Sequence, residues 1–439
     1  MLDLNVMRRV VFDHLADHVM TVNGRSGSPW IHQITTGLIW HRPDDTRAAI
    51  GFVGKNLEVA NLLLIEGDRD PSERGQRMRR LALQIITTFT TNLTMSPSSG
   101  EAIDLATGAP TVSFPPSYWR GNATAGSRVF IRAPSEDLRK LVEAYRREKA
   151  LGRDHPEWLA FARQFADWLL PQQRADGSFP RAWKRGTSEV VEPSPSASYA
   201  PVPLLAELSG ALGPDGGRYR VAALRAAEYV WTAQGQRGIF TGATLDHPDV
   251  IDKEAGMLSM EAFLSAYDLS LDRKWVTRTA AAADFTETWM YVWNVPMAAD
   301  AIEGELHWKT GVPTIGVGVI AIGASGGVDQ YLEWSAPTYA RLYQLTNDPH
   351  YLDVARILLF DTKAMLAMPK RTFDTVGPGW QQENFDLSTR RGFGGHRGWL
   401  VWVSVHHLWS LIGIEQLDPA LLAKVVASGA PLQNRSLIK

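Results

Sequence analysis

The chain has 439 residues, 45% hydrophobic and 21% charged, with a formal net charge of −2. That balance belongs to ordinary globular proteins and argues against nucleic acid or an anionic membrane as the main partner. The absence of cysteine excludes disulfides, thiolate metal sites and cysteine nucleophiles, and no run reaches the roughly 18 apolar residues of a membrane span.

In chain order, MLDLNVMRRVVFDHLADHVM interrupts its apolar positions with charges. It reads as an amphipathic helix and not as a signal peptide, so a cytoplasmic protein is expected, with a leader already removed as the alternative. Apolar periodicity then predicts helical hairpins at about 56–95, 137–173, 200–234, 257–293 and 333–366. A sixth is closed by RGWLVWVSVHHLWSLIGI with the N-terminal helix beside it. QRADGSF (173–179) and QGQRGIF (234–240) share the pattern Q-x-x-x-G-x-F, and the same offset carries Trp158 onto Tyr219 and Trp168 onto Tyr229. A looser copy brings in Trp275 and Phe285. Repeats of this kind must stack on neighbours to bury their apolar faces. The expected fold is all-α: a closed (α/α)6 barrel of six hairpins forming a single catalytic domain over 1–439, inner helices lining the bore and outer helices wrapping them.

The long connections 96–136, 174–199, 235–256, 294–332 and 367–397 each run from the second helix of one hairpin to the first helix of the next. All are therefore expected at one end, which is the active-site face. A small β-hairpin over 302–320, IEGELHWKTGVPTIGVGVI, is expected to cover it.

Three segments of that face carry most of the chemistry. DVIDKEAGM (249–257) places Asp252 and Glu254 just before an inner helix, where burial would raise a carboxyl pKa as a general acid requires; capping the helix is the competing role. Lys253 is expected in solvent, and Glu261 in support of the site. GVDQYLEWSAPTYARLYQLT offers Asp329, Glu333 and Trp334, the two acids one turn apart and hence on one helix face. GWQQENFDLSTRRGFGGHRGWL offers Trp380, Glu383, Arg390, Arg391, His396 and Arg397, the arginines suited to carboxylate binding. Weaker rim signals are Trp30, His32, Trp40 and His41; Tyr118, Trp119 and Arg120; and Asp176, Arg181 and Trp183. They combine aromatic and charged groups as carbohydrate sites do. Of the mid-helix pair His406 and His407, at most one can face the bore. No zinc, P-loop, nucleophile-elbow or dinucleotide motif is present, so neither metal nor cofactor is expected.

The repeat, the Q-x-x-x-G-x-F turns and VIDKEAGMLSMEAFLSAYDLSLDRKWVTRTAAAADF resemble the six-hairpin carbohydrate-active enzymes, especially unsaturated uronyl hydrolases and the related (α/α)6 β-glucuronidases. In the uronyl hydrolases an aspartate before an inner helix precedes a methionine and a phrase of the kind P-F-L-A-x-Y. Here Asp252 or Glu254, Met257 and AFLSAY correspond. Asp252 lies one residue too far from Met257 and Glu254 one too near, so both acids stay open. The resemblance implies a glycoside hydrolase acting on uronic-acid-containing oligosaccharides by carboxylate acid/base catalysis. Asp252 or Glu254 would supply one carboxyl and Asp329, Glu333 or Glu383 another. The uronate would be held by Arg120, Arg390, Arg391, His396 and Arg397, with Trp40, His41, Trp119, Trp334 and Trp380 contacting sugar. Two alternatives on the same barrel are a polysaccharide lyase using Tyr118, His396 and Arg397, and a sugar epimerase or non-hydrolytic sugar-binding relative. A terpene cyclase would need a D-x-D-D motif that is absent.

Overall fold

Helix α3 (Glu73–Asn92) buries Gly75, Met78, Ala82, Ile85, Ile86 and Phe89, a stripe spaced three and four apart, while Gln76, Arg77, Arg80, Gln84 and Thr87 are exposed. Its hairpin partner α2 (Asn56–Arg69) is instead buried continuously from Asn56 to Leu64. A helix with one apolar stripe lies on the outside of a two-layer wall, and one buried all round lies within it. The computed structural model, which describes residues 2–29, 31–39, 44–52, 54–112, 128–244, 249–294, 313–319, 327–373, 375–386 and 398–427, repeats this pairing around a ring. The successive hairpins are α4 (Arg132–Ala150) with α5 (Pro156–Leu169), α6 (Pro201–Leu212) with α7 (Gly217–Ala233), α8 (Lys253–Ser270) with α9 (Lys274–Glu287), and α10 (Ala336–Thr346) with α11 (Pro349–Phe360). Helix α12 (Val401–Leu417), buried without a break from Val401 to Leu408, packs on α10 and α2 and closes the inner ring of even-numbered helices. Helix α1 (Leu4–Asp17) leans on α12 and α2 as the sixth outer helix, and α13 (Pro419–Ala427) packs on α11 and α12. The expected (α/α)6 barrel is therefore the observed fold.

The connections pair with one another in small antiparallel sheets. Strands β1 (Met20–Val22) and β2 (Arg25–Gly27) form a hairpin; β3 (Ile31–Gln33) pairs with β13 (Gly398–Leu400), with Trp399 opposite His32. The three-stranded sheets are β4 (Arg47–Ala49), β5 (Ala102–Asp104) and β6 (Pro110–Thr111); β7 (Arg128–Phe130), β8 (Ala182–Lys184) and β9 (Val190–Glu192); and β10 (Gly318–Val319), β11 (Gly327–Asp329) and β12 (Asn384–Asp386). Strands β7 and β13 run almost directly into α4 and α12, so the sheets gather at the N-terminal ends of the inner helices. Of the hairpin expected over 302–320, residues 302–312 and 320 lie outside the described residues, and Gly318–Val319 pairs with β11. Among the described residues no helix is long and apolar enough to cross a membrane.

The Q-x-x-x-G-x-F repeat has a mechanical basis. Gln173 Nε2 donates to Gly177 O and to Ala222 O of the next outer helix, each at 2.9 Å. Gln234 Nε2 donates to Ser196 O at 2.8 Å and its Oε1 accepts from Thr241 N at 2.9 Å. Each glutamine closes the turn after an outer helix, and Phe179 and Phe240 plug the core behind it. Gly177 has φ +92°, and a Cβ there would lie 2.5 Å from Arg225 O, whereas Gly238 (φ +63°) faces open space. Gly177→Ala is expected to cost about 2–3 kcal/mol from strain and overlap, and Gly238→Ala about 1 kcal/mol. Urea unfolding of the two variants measures the difference.

Candidate active site

Three inner helices begin with a cation, against the positive end of the helix dipole: Lys55 precedes α2, Arg132 opens α4 and Lys253 opens α8. All three are buried, so each needs an anion. Lys55 Nζ pairs with Glu136 at 2.8 Å and Glu58 at 3.2 Å. Arg132 pairs with Glu136 and, across the bore, with Glu254 at 2.6 Å, while its Nη1 also donates to Ala243 O at 2.9 Å. Burial opposes its charge, yet Glu136 and Glu254 hold the guanidinium above its ordinary pKa. Its plane lies over Phe52 at 4.4 Å and Trp334 at 5.6 Å. Lys253 Nζ reaches Asp329 at 2.6 Å and Val319 O at 2.9 Å. Expected in solvent, Lys253 is instead 0% exposed, because the helix starts at that residue and its side chain turns under β10 and β11.

The two acids of DVIDKEAGM separate cleanly. Asp252 is the N-cap of α8: Oδ1 accepts from Ala255 N at 2.7 Å and Oδ2 from Ala243 N at 3.0 Å. Burial, and then Glu254, pushes its pKa up to about 6. Glu254 carries no cap and extends to Arg132. Asp329 accepts from Tyr331 N at 2.9 Å as well as pairing with Lys253; burial raises it to about 6, with Glu254 adding to the rise and Lys253 opposing it. Glu383, half-buried, has its carboxyl by the Tyr331 hydroxyl, and burial together with Glu383 holds that phenol well above 10.

Glu333 departs from expectation. It accepts from Lys363 Nζ at 2.8 Å and Thr362 Oγ1 at 3.0 Å, with His407 Nδ1 also 3.0 Å away. Burial works against its charge, but His407 and Lys363 keep the carboxyl below its usual range. Asp329 and Glu333 do not share a helix face, because Asp329 ends β11 and Tyr331–Ser335 is a 3-10 turn; the one-turn rule applies within an α-helix.

Trp334 borders the bore, its Nε1 donating to Glu261, which also receives Arg139. His406, 2% exposed, lies among Trp334, Tyr331 and Trp402 at ring distances of 5.3, 5.5 and 6.1 Å. Among the described residues neither of its nitrogens has a hydrogen-bond partner, nor do Arg132 Nη2 and the side-chain amides of Gln330 and Gln381. Burial, reinforced by Lys55, keeps the imidazole neutral. Buried polar atoms left unpaired are uncommon in native interiors.

Trp380, expected on sugar, packs instead on α1 and β13, 4.7 Å from His14, 4.8 Å from His18 and 5.6 Å from Trp399. The segment turns it into the core because β13 pairs with β3 there. Burial, and then His18, holds His32 at about 3; burial likewise lowers His14 and His18. These histidines fold neutral, so their contribution to stability is complete above pH 6.5 and falls as pH drops toward 3. For His32 the loss at pH 5 is about 2 kcal/mol. His32→Phe is expected to flatten the stability-against-pH curve between 6.5 and 5, measured by chemical denaturation at each pH.

Arg181 is fully buried, pairs with Glu192 at 2.5 Å and donates to Gly242 O and Thr244 O. It thereby braces the strip whose Ala243 binds both Asp252 and Arg132. Trp183 is buried against Trp168 at 5.0 Å, and Asp176 caps its own turn through Ser178 N and Oγ. Trp30, Trp40, His41, Tyr118, Trp119, Arg120, Arg390, Arg391, His396 and Arg397 lie outside the described residues. Among the described residues no group of three or more His, Asp or Glu side chains is placed to hold a metal ion.

No protein-family model matches the chain, and no curated protein matches it in sequence. Solved structures do share the fold. A cellobiose 2-epimerase from Bacillus thermoamylovorans superposes with a TM-score of 0.62 at 11% identity, over 94% of this chain and 99% of that one. The cellobiose 2-epimerase from Spirochaeta thermophila gives 0.60 at 16%, over 95% and 98%. A family 76 glycoside hydrolase from a bovine Bacteroides thetaiotaomicron strain gives 0.55 at 12%, over 94% and 78%.

Proposed function

We propose that the chain is a carbohydrate-active enzyme whose single domain hydrolyses uronic-acid-containing oligosaccharides at the N-terminal end of the barrel bore. One observation carries this reading: buried Glu254 and Asp329, paired with Arg132 and Lys253, lie together with half-buried Glu383, whose carboxyl is near the Tyr331 hydroxyl. Asp329, with a pKa of about 6, retains a proton in the range where a general acid works and donates it to the departing oxygen, or to the ring double bond of an unsaturated uronide. Glu254 is the base or nucleophile, oriented by Arg132. The unpaired Nη2 of Arg132 is suited to the uronate carboxylate, and Trp334 offers an aromatic edge. Solved structures that share the fold include a family 76 glycoside hydrolase and a cellobiose 2-epimerase, in keeping with a sugar substrate here. The lyase alternative rests on Tyr118, His396 and Arg397, which lie outside the described residues.

A second reading, sugar epimerisation, is favoured by His406: a neutral imidazole whose nitrogens have no hydrogen-bond partner among the described residues, ringed by three aromatic side chains, is suited to moving a carbon-bound proton. Product analysis in deuterated water separates the two. With a saturated uronide, hydrolysis generates new reducing ends and leaves carbon positions unlabelled; with an unsaturated one it generates reducing ends and places deuterium on C4; epimerisation incorporates deuterium without new reducing ends. For hydrolysis, kcat/KM is expected to fall tenfold per pH unit above about 6 as Asp329 loses its proton. A flat profile from pH 5 to 8 removes Asp329 from the acid role.

A further inference from the structure

The bore continues beyond the acid cluster. A constriction of about 20 Å³ touches Trp334 and His406, and three of its other wall residues, Arg139, Glu261 and Trp409, also line a cavity of about 460 Å³. This second cavity is walled by inner helices alone, from Asn61 of α2 through Arg147 of α4, Glu207 of α6, Asp268 of α8 and Arg341 of α10 to Leu417 of α12. Its size is that of a small-molecule site. Part of its wall is apolar, from Leu264, Pro337, Trp409, Gly413 and Leu417; the rest is polar, including Asn61, Glu143 and Arg147.

The charges of that wall are matched with one exception. Glu143 is paired with Arg139 at 2.9 Å and Lys140 at 3.0 Å, Glu207 with Arg146 at 2.6 Å, Glu261 with Arg139, and Asp268 with Arg341. Among the described residues Arg147 makes no ion pair, and Glu148, Asp68 and Glu143 act on it only from beyond contact. Its Nη1 donates to the neutral Asn61 Oδ1 at 2.7 Å, and among the described residues its buried Nε has no partner. Burial pushes its pKa down, so the charge sits where solvent only partly compensates it, and an anion that reached it would be bound by a charge-assisted bond.

We propose that this far mouth is a second ligand site, taking a sugar-sized hydroxylated carboxylate. The carboxylate pairs with the guanidinium of Arg147, and the hydroxyls donate to the wall carboxylates and exchange bonds with Ser265 and Thr338, while the carbon skeleton lies on the apolar side. The site is distinct from the acid cluster, and the proposal does not depend on which reaction occurs there. Glu261 touches both regions, accepting from Trp334 on one side and from Arg139 on the other, which gives the far mouth a direct mechanical link to a side chain of the bore.

The experiment is calorimetric titration of the full chain with D-gluconate, with neutral D-glucitol as the comparison. Wild type is expected to bind gluconate at millimolar concentration and glucitol at least about tenfold more weakly, the loss of one charged hydrogen bond. Arg147→Gln, at a part-exposed position where the fold is expected to hold, should lose at least about tenfold in gluconate affinity at unchanged melting temperature. Glu254→Gln, in the other cluster, should bind gluconate as wild type does. Absence of gluconate binding, equal binding of glucitol, or an Arg147→Gln variant that binds like wild type overturns the proposal. Loss in Glu254→Gln but not in Arg147→Gln would move the ligand to the acid cluster and overturn it as well.

Discussion

Glu254→Gln is expected to lower kcat on a uronide by about 10²–10⁴-fold, the usual contribution of a positioned acid or base, with little change in KM. Glutamine keeps the shape and still accepts a hydrogen bond from Arg132, so the loss reports the missing charge and basicity. Asp252→Asn supplies the contrast. Both Asp252 oxygens are used by backbone N–H groups at the start of α8, so its replacement should cost about 1 kcal/mol of stability as a weakened cap and leave the chemistry within a few-fold. Steady-state kinetics and urea unfolding of the two variants check both halves. If Asp252→Asn abolishes turnover and Glu254→Gln does not, the roles of the two acids are reversed.

Lys253→Met is expected to destabilise the protein by about 3–5 kcal/mol, because it strands the Asp329 carboxylate in a buried site. The effect should depend on pH in a defined sense. Asp329 has its pKa raised to about 6, so its native form binds a proton more tightly than the unfolded chain, and its contribution to stability is lost as pH rises through about 6. Removing the lysine raises that pKa further. Denaturation should therefore find Lys253→Met much closer to wild type at pH 5 than at pH 8, and Lys253→Met combined with Asp329→Asn should recover part of the loss at pH 8, since a neutral pair leaves no buried charge.

The helices were legible because apolar spacing is a local property: the expected 56–95 and 200–234 correspond to α2–α3 and α6–α7 within a few residues. Starts of inner helices were less so. Helix α4 begins at Arg132, ahead of the expected 137, with Pro134 in its first turn, where proline is tolerated. Helix α8 begins at Lys253 because Asp252 caps it. Apart from the strand-like stretch 302–320, whose Gly318–Val319 forms β10, the sheets could not be read, since strands of two or three residues show no alternation. In the site, the acids stood out as carboxylates before inner helices, but Arg132 and Lys253 looked like solvated charges. Their position at helix N-termini, against the dipole, was the signal that each must face a buried anion. Which of Asp252 and Glu254 crosses the bore depends on Ala243 and Arg132, more than a hundred residues apart in the chain, and Trp380 could be told from Trp334 only by the pairing of β3 with β13.

The most direct measurement of the central claim, that the Glu254, Asp329 and Glu383 cluster hydrolyses uronides, is a parallel assay of saturated and 4,5-unsaturated uronide oligosaccharides with wild type and Glu254→Gln, following reducing ends and double-bond absorbance together. The expected result is new reducing ends from wild type on at least one substrate, lost in Glu254→Gln, with absorbance falling only where the substrate is unsaturated. Rising absorbance on the saturated substrate, or equal turnover by the two proteins, would contradict it.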